Sequence, residues 1–533
     1  MNLKEEKMAG NFDIIVAGGG HNGLTCGAYL AKAGLKVCVL ERQDKVGGGV
    51  VTRELGEPGF LHDHCSTWHG LIQANPLIKN DELGLLSEYG LKYIYPNLQT
   101  SIVFPDGRAM KFYKDVDKTC ESIAEFSQHD ANSYRKFYEW AEKMLDMFTQ
   151  GMFSPPPPFG AYAAMMDESD EGRELLRASM CSGMDICNEW FESDYTKIAM
   201  TRFVAEGMVS PQAKGTGLML FVFIPLSHKY GGGVPVGGSG VLSDCLARLI
   251  EDYGGTVRTE CPIESFKVSG DEVKGVVLQG GEEVDATKAI ISNLNIKQMF
   301  PDMFPGASFP EGFIHKVKRL EHSEFTAFNS AWSLHEAPKY TIEGIEESMW
   351  VQISPGTIED GLKVFDNYRY GIPESNSPVS ICTTLWDKTR APEGKHCLYF
   401  YHFAPYNLKD GGPAKWDEIG EDICRGMMEE LRKITTNMGD DNIIGKPWYI
   451  TPLEIERYNP AMVHGDICHI AYTLSQQSSS RPIAGYGQYR MPFKKLYLTG
   501  ASTHPGAGVT GGGRAPAMAM MEDLEIDFEK VIP

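Results

Sequence analysis

Gly18, Gly20 and Gly23 stand in the spacing G-x-G-x-x-G, and an acidic residue, Glu41, follows them. These residue types in this pattern suit the binding of a dinucleotide. Gly18 permits a tight turn, Gly20 lets the backbone approach a pyrophosphate, and Gly23 lets a helix pack closely on the preceding strand. Glu41 lies roughly 20 residues beyond the glycines, where an acceptor for ribose hydroxyls belongs. The motif has meaning only between a strand and a helix, and both are legible. Asp13 to Ala17 is a short Ile/Val-rich run of the kind a buried parallel strand requires. The run through Leu24 and Leu30 reads as a helix whose N-terminal amides and positive dipole end face the pyrophosphate. Lys36 to Leu40 reads as the next parallel strand, with Glu41 at its end. The expectation is an adenine-dinucleotide site.

A second glycine cluster, Gly47-Gly48-Gly49, follows Glu41, with Thr52-Arg53 behind it. The stretch ERQDKVGGGVVTRE resembles the two-dinucleotide-binding-region flavoproteins, in which such a loop runs along FAD. The C-terminal stretch from Leu496 to Gly511, LYLTGASTHPGAGVTG, resembles the closing flavin motif of phytoene desaturase-like and carotenoid isomerase-like FAD enzymes. GGGHNGL and the later Pro58 to Phe60 are especially similar to the branch containing the pyridine nucleotide-disulphide oxidoreductase domain-containing proteins. No C-x-x-C redox pair accompanies that resemblance. It implies FAD as cofactor, with Gly500 delivered to the flavin diphosphate and Ile263 offering its backbone to adenine. Motif and resemblance together make the cofactor-binding set Gly18, Gly20, His21, Asn22, Gly23, Glu41, Arg42, Gly48, Gly49, Thr52, Ile263, Gly500, Gly508 and Val509. The fold implied is α/β, a Rossmann-type FAD-binding domain with an inserted α+β substrate domain built on a mixed sheet. Segments 1–79, 230–294 and 491–533 would form the FAD-binding domain, and 80–229 and 295–490 the substrate domain.

A chain of 533 residues is too long for one ordinary core, in keeping with two domains. Its 71 acidic against 50 basic residues give a formal charge of −21, which repels phosphate backbones and disfavours nucleic acid and anionic lipid as partners. Twelve cysteines without paired spacing read as small hydrophobes in a reducing compartment. MNLKEEKMAG lacks the apolar core of a secretory signal, and no apolar run approaches a membrane span. A cytoplasmic location is expected; peripheral membrane contact and the oligomeric state stay open.

His62, His64, Cys65, Trp68 and His69 form a polar cluster directly after the flavin loop. Without a second ligand pair at matching spacing, a polar stretch near flavin or substrate is preferred to a metal site, and no metal is expected. Thr119 to Met147 has helical periodicity, Glu171 to Gly207 reads as further helices, and Asp417 to Thr435 as an amphipathic helix. Pro155 to Pro158 must be extended. Flanked by Met and Phe, this stretch reads either as a hinge loop or as an adaptable apolar lid over a substrate entrance. Thr216 to Leu226 reads as core in preference to substrate lining. Leu91 to Tyr95, Ser101 to Phe104, Thr326 to Trp332, Ser380 to Leu385 and Cys397 to His402 are strand-like.

No G-x-S-x-G, H-E-x-x-H or P-loop pattern is present. With the FAD that the resemblance implies in place, the redox chemistry would belong to the flavin, with the protein positioning an apolar small-molecule substrate. The expected reaction is desaturation of a carbon–carbon bond in an isoprenoid-like or alicyclic substrate, with an unidentified electron acceptor. A flavin amine oxidase, a redox-neutral isomerase and a non-catalytic flavin-stabilised binding protein are the alternatives. His504 and Tyr230 are the candidate catalytic residues. For His504 a turn residue bonding the backbone is an equal reading. Tyr472, Arg481, His464, Asp466 and His469 are further candidates that loop roles would explain as well.

Overall fold

In the computed structural model, which describes residues 12–532, the Ile/Val run becomes strand β1 (Phe12–Ala17). Helix α1 (His21–Lys32) and strand β2 (Val37–Leu40) complete the strand–turn–helix–strand unit. The N-terminal segment read as lacking a signal lies outside the described residues. β1 pairs in parallel with β2 on one side and with Glu283–Ser292 on the other. β2 pairs in parallel with Thr256–Arg258, and Leu496–Leu498 adds in parallel beyond Ile290–Ser292. An antiparallel extension, Ile263–Ser269 with Glu272–Leu278, continues from Glu283–Ser292.

The two faces of this sheet explain its apolar composition. Side chains alternate along a strand, so Ile14 and Val16 enter a core shared with Leu24, Leu246, Leu249 and Met520. Ile15 and Ala17 enter a second core with Phe266, Phe300, Phe304 and Phe313. A strand buried on both faces must read as a continuous apolar run. Gly23 sits where α1 crosses β1; a Cβ there would lie 2.6 Å from the Gly18 carbonyl oxygen and 3.0 Å from Asn293 Cβ. That contact sets how closely the helix can approach.

The second sheet has seven strands in the order Ile443–Ile450, Thr326–Leu334, His396–Ala404, Val379–Cys382, Trp350–Ile353, Leu98–Val103 and Ala109–Tyr113. Its pairings are antiparallel except for Trp350–Ile353 with Leu98–Val103. The expected mixed sheet is therefore present, with changed limits. Thr383–Leu385 is a 3-10 turn instead of strand. Of Leu91 to Tyr95 only Tyr93–Ile94 is strand, pairing outside this sheet with Val234–Pro235.

A helical layer packs beside this sheet around Tyr134, Phe137, Leu175, Ile186 and Phe221. The helical run expected from Thr119 splits into Val116–Ala124 and Gln128–Met152, because Ser127 caps the second helix by accepting from the Asp130 amide. Glu171 to Gly207 forms three helices, Asp170–Met180, Gly183–Trp190 and Asp194–Ala205. The amphipathic helix spans Trp416–Arg432. Among the described residues no helix is long and apolar enough to cross a membrane.

Candidate functional site: a dinucleotide cradle continuous with an apolar cavity

The two glycine clusters lie against each other. The Gly47 amide donates to the Gly19 carbonyl at 2.8 Å, and the His21 amide donates to the Gly47 carbonyl at 3.2 Å. A Cβ on Gly48, at φ +63°, would come within 3.2 Å of Gly20 Cα. A Cβ on Gly20 would lie 2.5 Å from Asn293 Nδ2. The α1 N-terminus has no side-chain cap and no acidic residue in its first turn. Its partial positive charge is thus left for an external anion, as a pyrophosphate site requires.

Glu41 is buried at the end of β2. Its carboxylate accepts from the Gly19 amide at 2.8 Å and from the Gln43 amide at 2.9 Å. Burial pushes the carboxyl above its ordinary range, and the amide hydrogen bonds act in the opposite sense. The glycine turn is thereby clipped to the acidic residue. Ile263 starts the antiparallel extension, in register with Leu278, and lies on the same cavity wall as Pro262 and Gln279.

The C-terminal motif closes the cradle from the other side. The Gly512 amide donates to Asn22 Oδ1 at 2.9 Å, and Asn75 donates to the Thr510 carbonyl at 2.7 Å. Gly506 has φ +108°, and a Cβ there would overlap the Tyr472 hydroxyl, which donates to the Pro505 carbonyl at 3.0 Å. Arg481 is fully buried and donates to the carbonyls of Cys468, Ile470, Ala471, Gln476 and Ala501. It braces loops. Asp466 similarly accepts from the Ser323 and Cys468 amides.

A cavity of about 1160 Å³ runs from this cradle into an apolar chamber. Gly18, Gly20, His21, Asn22, Glu41, Arg42, Gly48, Gly49, Ile263, Gly508 and Val509 line it, as does His504. The far walls are Met147, Phe148, Met152, Pro156, Pro157, Met219, Phe223, Trp350, Tyr399 and Tyr401. Helix Leu218–Lys229 serves both roles weighed for its apolar run. Leu220, Phe221 and Ile224 enter the core, while Leu218, Met219, Val222, Phe223 and Leu226 face the cavity.

Seven candidates stand off the lining, Arg481, His464 and Asp466 among them. Gly23 is spent on helix–strand packing and Gly500, at φ +91°, on a close approach to Asn293 Oδ1. The Thr52 hydroxyl donates to Asp63 at 2.7 Å and accepts from the Gly240 amide at 2.9 Å. The Tyr230 hydroxyl is buried without a hydrogen-bond partner, among Leu71, Met152 and Leu226. His504 faces the cavity, with Nε2 2.9 Å from the Gly151 carbonyl, so in the neutral ring that nitrogen donates. Burial lowers its pKa to about 4. It is both a cavity residue and a backbone-bonding one.

The His62–His69 segment is divided. Cys65 and Trp68 face the cavity, whereas His69 spends both ring nitrogens, on Tyr93 at 2.9 Å and Ser239 at 3.1 Å. His64 stacks on Tyr458 at 3.9 Å. Among the described residues the potential metal-ligand grouping is elsewhere, at His129, Asp130 and Glu192, where Asp130 already accepts from the Glu192 and Ser193 amides. Sequence reasoning missed Asn293, Glu206, Tyr399 and Tyr401 in the lining. The alternation of Tyr399 and Tyr401 on one strand face was the available signal for the last two.

The fold and cradle contain a Rossmann-like dinucleotide-binding domain, of which residues 16–80 match the family described as NAD(P)-binding Rossmann-like domain. The solved structure of a putrescine oxidase variant shares the fold, with a TM-score of 0.62 at 14% identity, covering 97% of this chain and 99% of that one. In sequence the chain is 28% identical to pyridine nucleotide-disulfide oxidoreductase domain-containing protein 2 of Rattus norvegicus, over 96% of this chain and 94% of the relative. It is 26% identical to a limonene dehydrogenase polypeptide of Castellaniella defragrans, over 97% and 95%. It is 24% identical to a lycopene-forming phytoene desaturase of Pantoea ananas, over 96% and 99%. The resemblance read from the two glycine-rich ends thus extends over nearly the whole chain, and it supports an oxidoreductase.

Proposed function

We propose that the chain binds FAD along the Gly18–Gly23 and Gly47–Gly49 cradle and dehydrogenates a carbon–carbon bond of an apolar, isoprenoid-like or alicyclic substrate. The observation that carries this is the continuity of the cradle with the apolar chamber in one cavity. The uncapped α1 terminus and the facing glycines would hold the pyrophosphate, Glu41 would accept from ribose, and the backbone at Ile263 would meet adenine. Bound there, the flavin would supply a hydride acceptor for a carbon whose neighbour loses a proton. The chamber walls hold the substrate and exclude water. His21, His469 and His504 face the cavity as neutral rings, each held at a pKa of about 4 by burial, so they add polarity without net charge. The names of the limonene dehydrogenase and phytoene desaturase relatives point to the same substrate class.

The test is anaerobic bleaching of the purified yellow protein against saturated and partly unsaturated isoprenoids, alicyclic compounds and amines. The flavin should leave the polypeptide intact on acid precipitation and should be reduced by members of the first two groups. Reduction by amines alone would move the protein to the amine oxidase reading, which the paired Tyr399 and Tyr401 in the lining favour as the second choice.

A further inference from the structure

Among the described residues that line the cavity, the carboxylates are Glu41 in the dinucleotide cradle and Glu206 in the apolar chamber. Glu206 directly follows helix Asp194–Ala205, one turn beyond Arg202. The two form an ion pair at 2.5 Å between Arg202 Nη1 and Glu206 Oε1. Both atoms are sealed from solvent, yet neither makes an aligned hydrogen bond. The Arg202 guanidinium is stacked over Phe403 at 4.3 Å, Trp350 at 5.1 Å and Tyr401 at 5.5 Å, which fixes it in place. The Glu206 side chain keeps 22% of its surface accessible, and that residue faces the cavity. The contact reaching its other oxygen, Oε2, is the Tyr401 hydroxyl at 3.5 Å, the outer limit of a hydrogen bond. Burial holds the carboxyl above its ordinary range, and Arg202 acts in the opposite sense.

A carboxylate with spare acceptor capacity in an apolar chamber is costly unless something donates to it. The identity of that donor follows from its surroundings. Arg202 already balances the charge of Glu206, so an ammonium ion would find no net attraction. A substrate carboxylate has no hydrogen to donate to Glu206 Oε2. An alcohol matches both groups, because its O–H can donate to Glu206 Oε2 while its oxygen accepts from the Tyr401 O–H. We propose that Glu206 and Tyr401 bind a hydroxyl group on an otherwise apolar substrate and so fix which end of it enters the cavity. This rests on the apolar-substrate reading above and names the one polar group that substrate carries.

The experiment uses the FAD-loaded full chain and two matched pairs of ligands, p-menthane with menthol and phytane with phytanol. Binding is read by quenching of tryptophan fluorescence, Trp68 and Trp350 being in the cavity wall. At least one alcohol should bind roughly tenfold or more tighter than its hydrocarbon, as one added hydrogen bond to a charged group provides. Tyr401→Phe should reduce that ratio, and Glu206→Leu should bring it close to one, with FAD content unchanged. Should Glu206→Leu fail to fold with Arg202 unpaired, the Arg202→Met/Glu206→Leu double variant removes the charge pair together and should give the same loss of preference. Alcohols binding no tighter than hydrocarbons in the wild type, or an undiminished preference in the FAD-loaded variants, would overturn the proposal. Flavin bleaching by a hydrocarbon in that event would leave the dehydrogenase reading standing, so the two failures are separable.

Discussion

Arg514 and Glu82, 432 positions apart, form a buried two-pronged ion pair, with Nε and Nη2 each 2.8 Å from a different carboxylate oxygen. Tyr29 on α1 donates to the same carboxylate at 2.5 Å, and Arg514 Nη1 donates to the Phe153 carbonyl at 3.0 Å. Phe153 immediately precedes the Ser154–Pro158 loop. One guanidinium therefore ties helix Arg514–Asp523 to α1 through Glu82, and directly to the chain leading to the tetraproline loop.

Glu82→Ala should accordingly lower stability by about 3–5 kcal/mol, since it leaves a buried guanidinium without its partner. Replacing the pair together, Glu82→Leu with Arg514→Met, should cost less than the single change. Urea unfolding followed by circular dichroism measures both. A Glu82→Ala midpoint equal to wild type would mean that water or rearrangement satisfies Arg514.

Gly20→Val should abolish FAD binding, because a side chain there enters the space of the pyrophosphate and meets Asn293 Nδ2 at 2.5 Å. Glu41→Ala should weaken binding by roughly 1.5–3 kcal/mol, the loss of a charge-assisted hydrogen bond. Flavin content after gel filtration, with circular dichroism to establish folding, distinguishes the two. A folded Gly20→Val protein carrying wild-type FAD would defeat the cradle assignment.

The buried histidines give a signed pH dependence. His21, His469 and His504 have pKa values lowered from 6.5 to about 4, in each case chiefly by burial. The unfolded chain therefore binds more protons than the folded one between those values. Stability is fully present above about pH 6.5 and falls as pH drops through about 4. Urea midpoints measured in steps from pH 7.5 to 4.5 should decline, and FAD retention should decline with them because all three rings face the cavity. A flat profile over that range would place those rings in contact with water.

How much of this was legible in the sequence depended on how local the information is. The β1–α1–β2 unit was readable because its turn chemistry, its doubly buried strands and Glu41 are all encoded within one short stretch. Four strands of the second sheet were readable, but Ala109–Tyr113, Trp350–Ile353 and Ile443–Ile450 were not, and neither was their order, since Leu98–Val103 beside Trp350–Ile353 depends on distant pairing. Glu206 illustrates the other limit. In sequence it is one acidic residue after a helix containing Arg202, a spacing typical of solvent-exposed pairs. Packing by Phe403, Trp350 and Tyr401 from other elements takes that pair out of water. Tyr230 stands off the lining, packed between Leu226 of the adjoining helix and Leu71 and Met152 from segments remote in sequence.

The tetraproline segment supplies the final prediction. Pro156 and Pro157 line the cavity, and the apolar helix Phe159–Asp167 follows at once. Phe159, Met165, Met180 and Leu474 also line the cavity while remaining 60%, 48%, 50% and 51% exposed, so they mark its mouth. Proline holds the chain extended and spaces this rim from the cradle. His504 touches the same region through the Gly151 carbonyl. Deleting Pro156 and Pro157 should draw Phe159 and Met165 inward and raise the KM for an apolar substrate by about tenfold, equivalent to about 1.4 kcal/mol of lost binding. FAD content should not change, because no residue of the glycine cradle lies in that segment. An unchanged KM would reduce the segment to a passive hinge, and FAD lost in step with substrate affinity would show that the rim and the cradle are held as one unit.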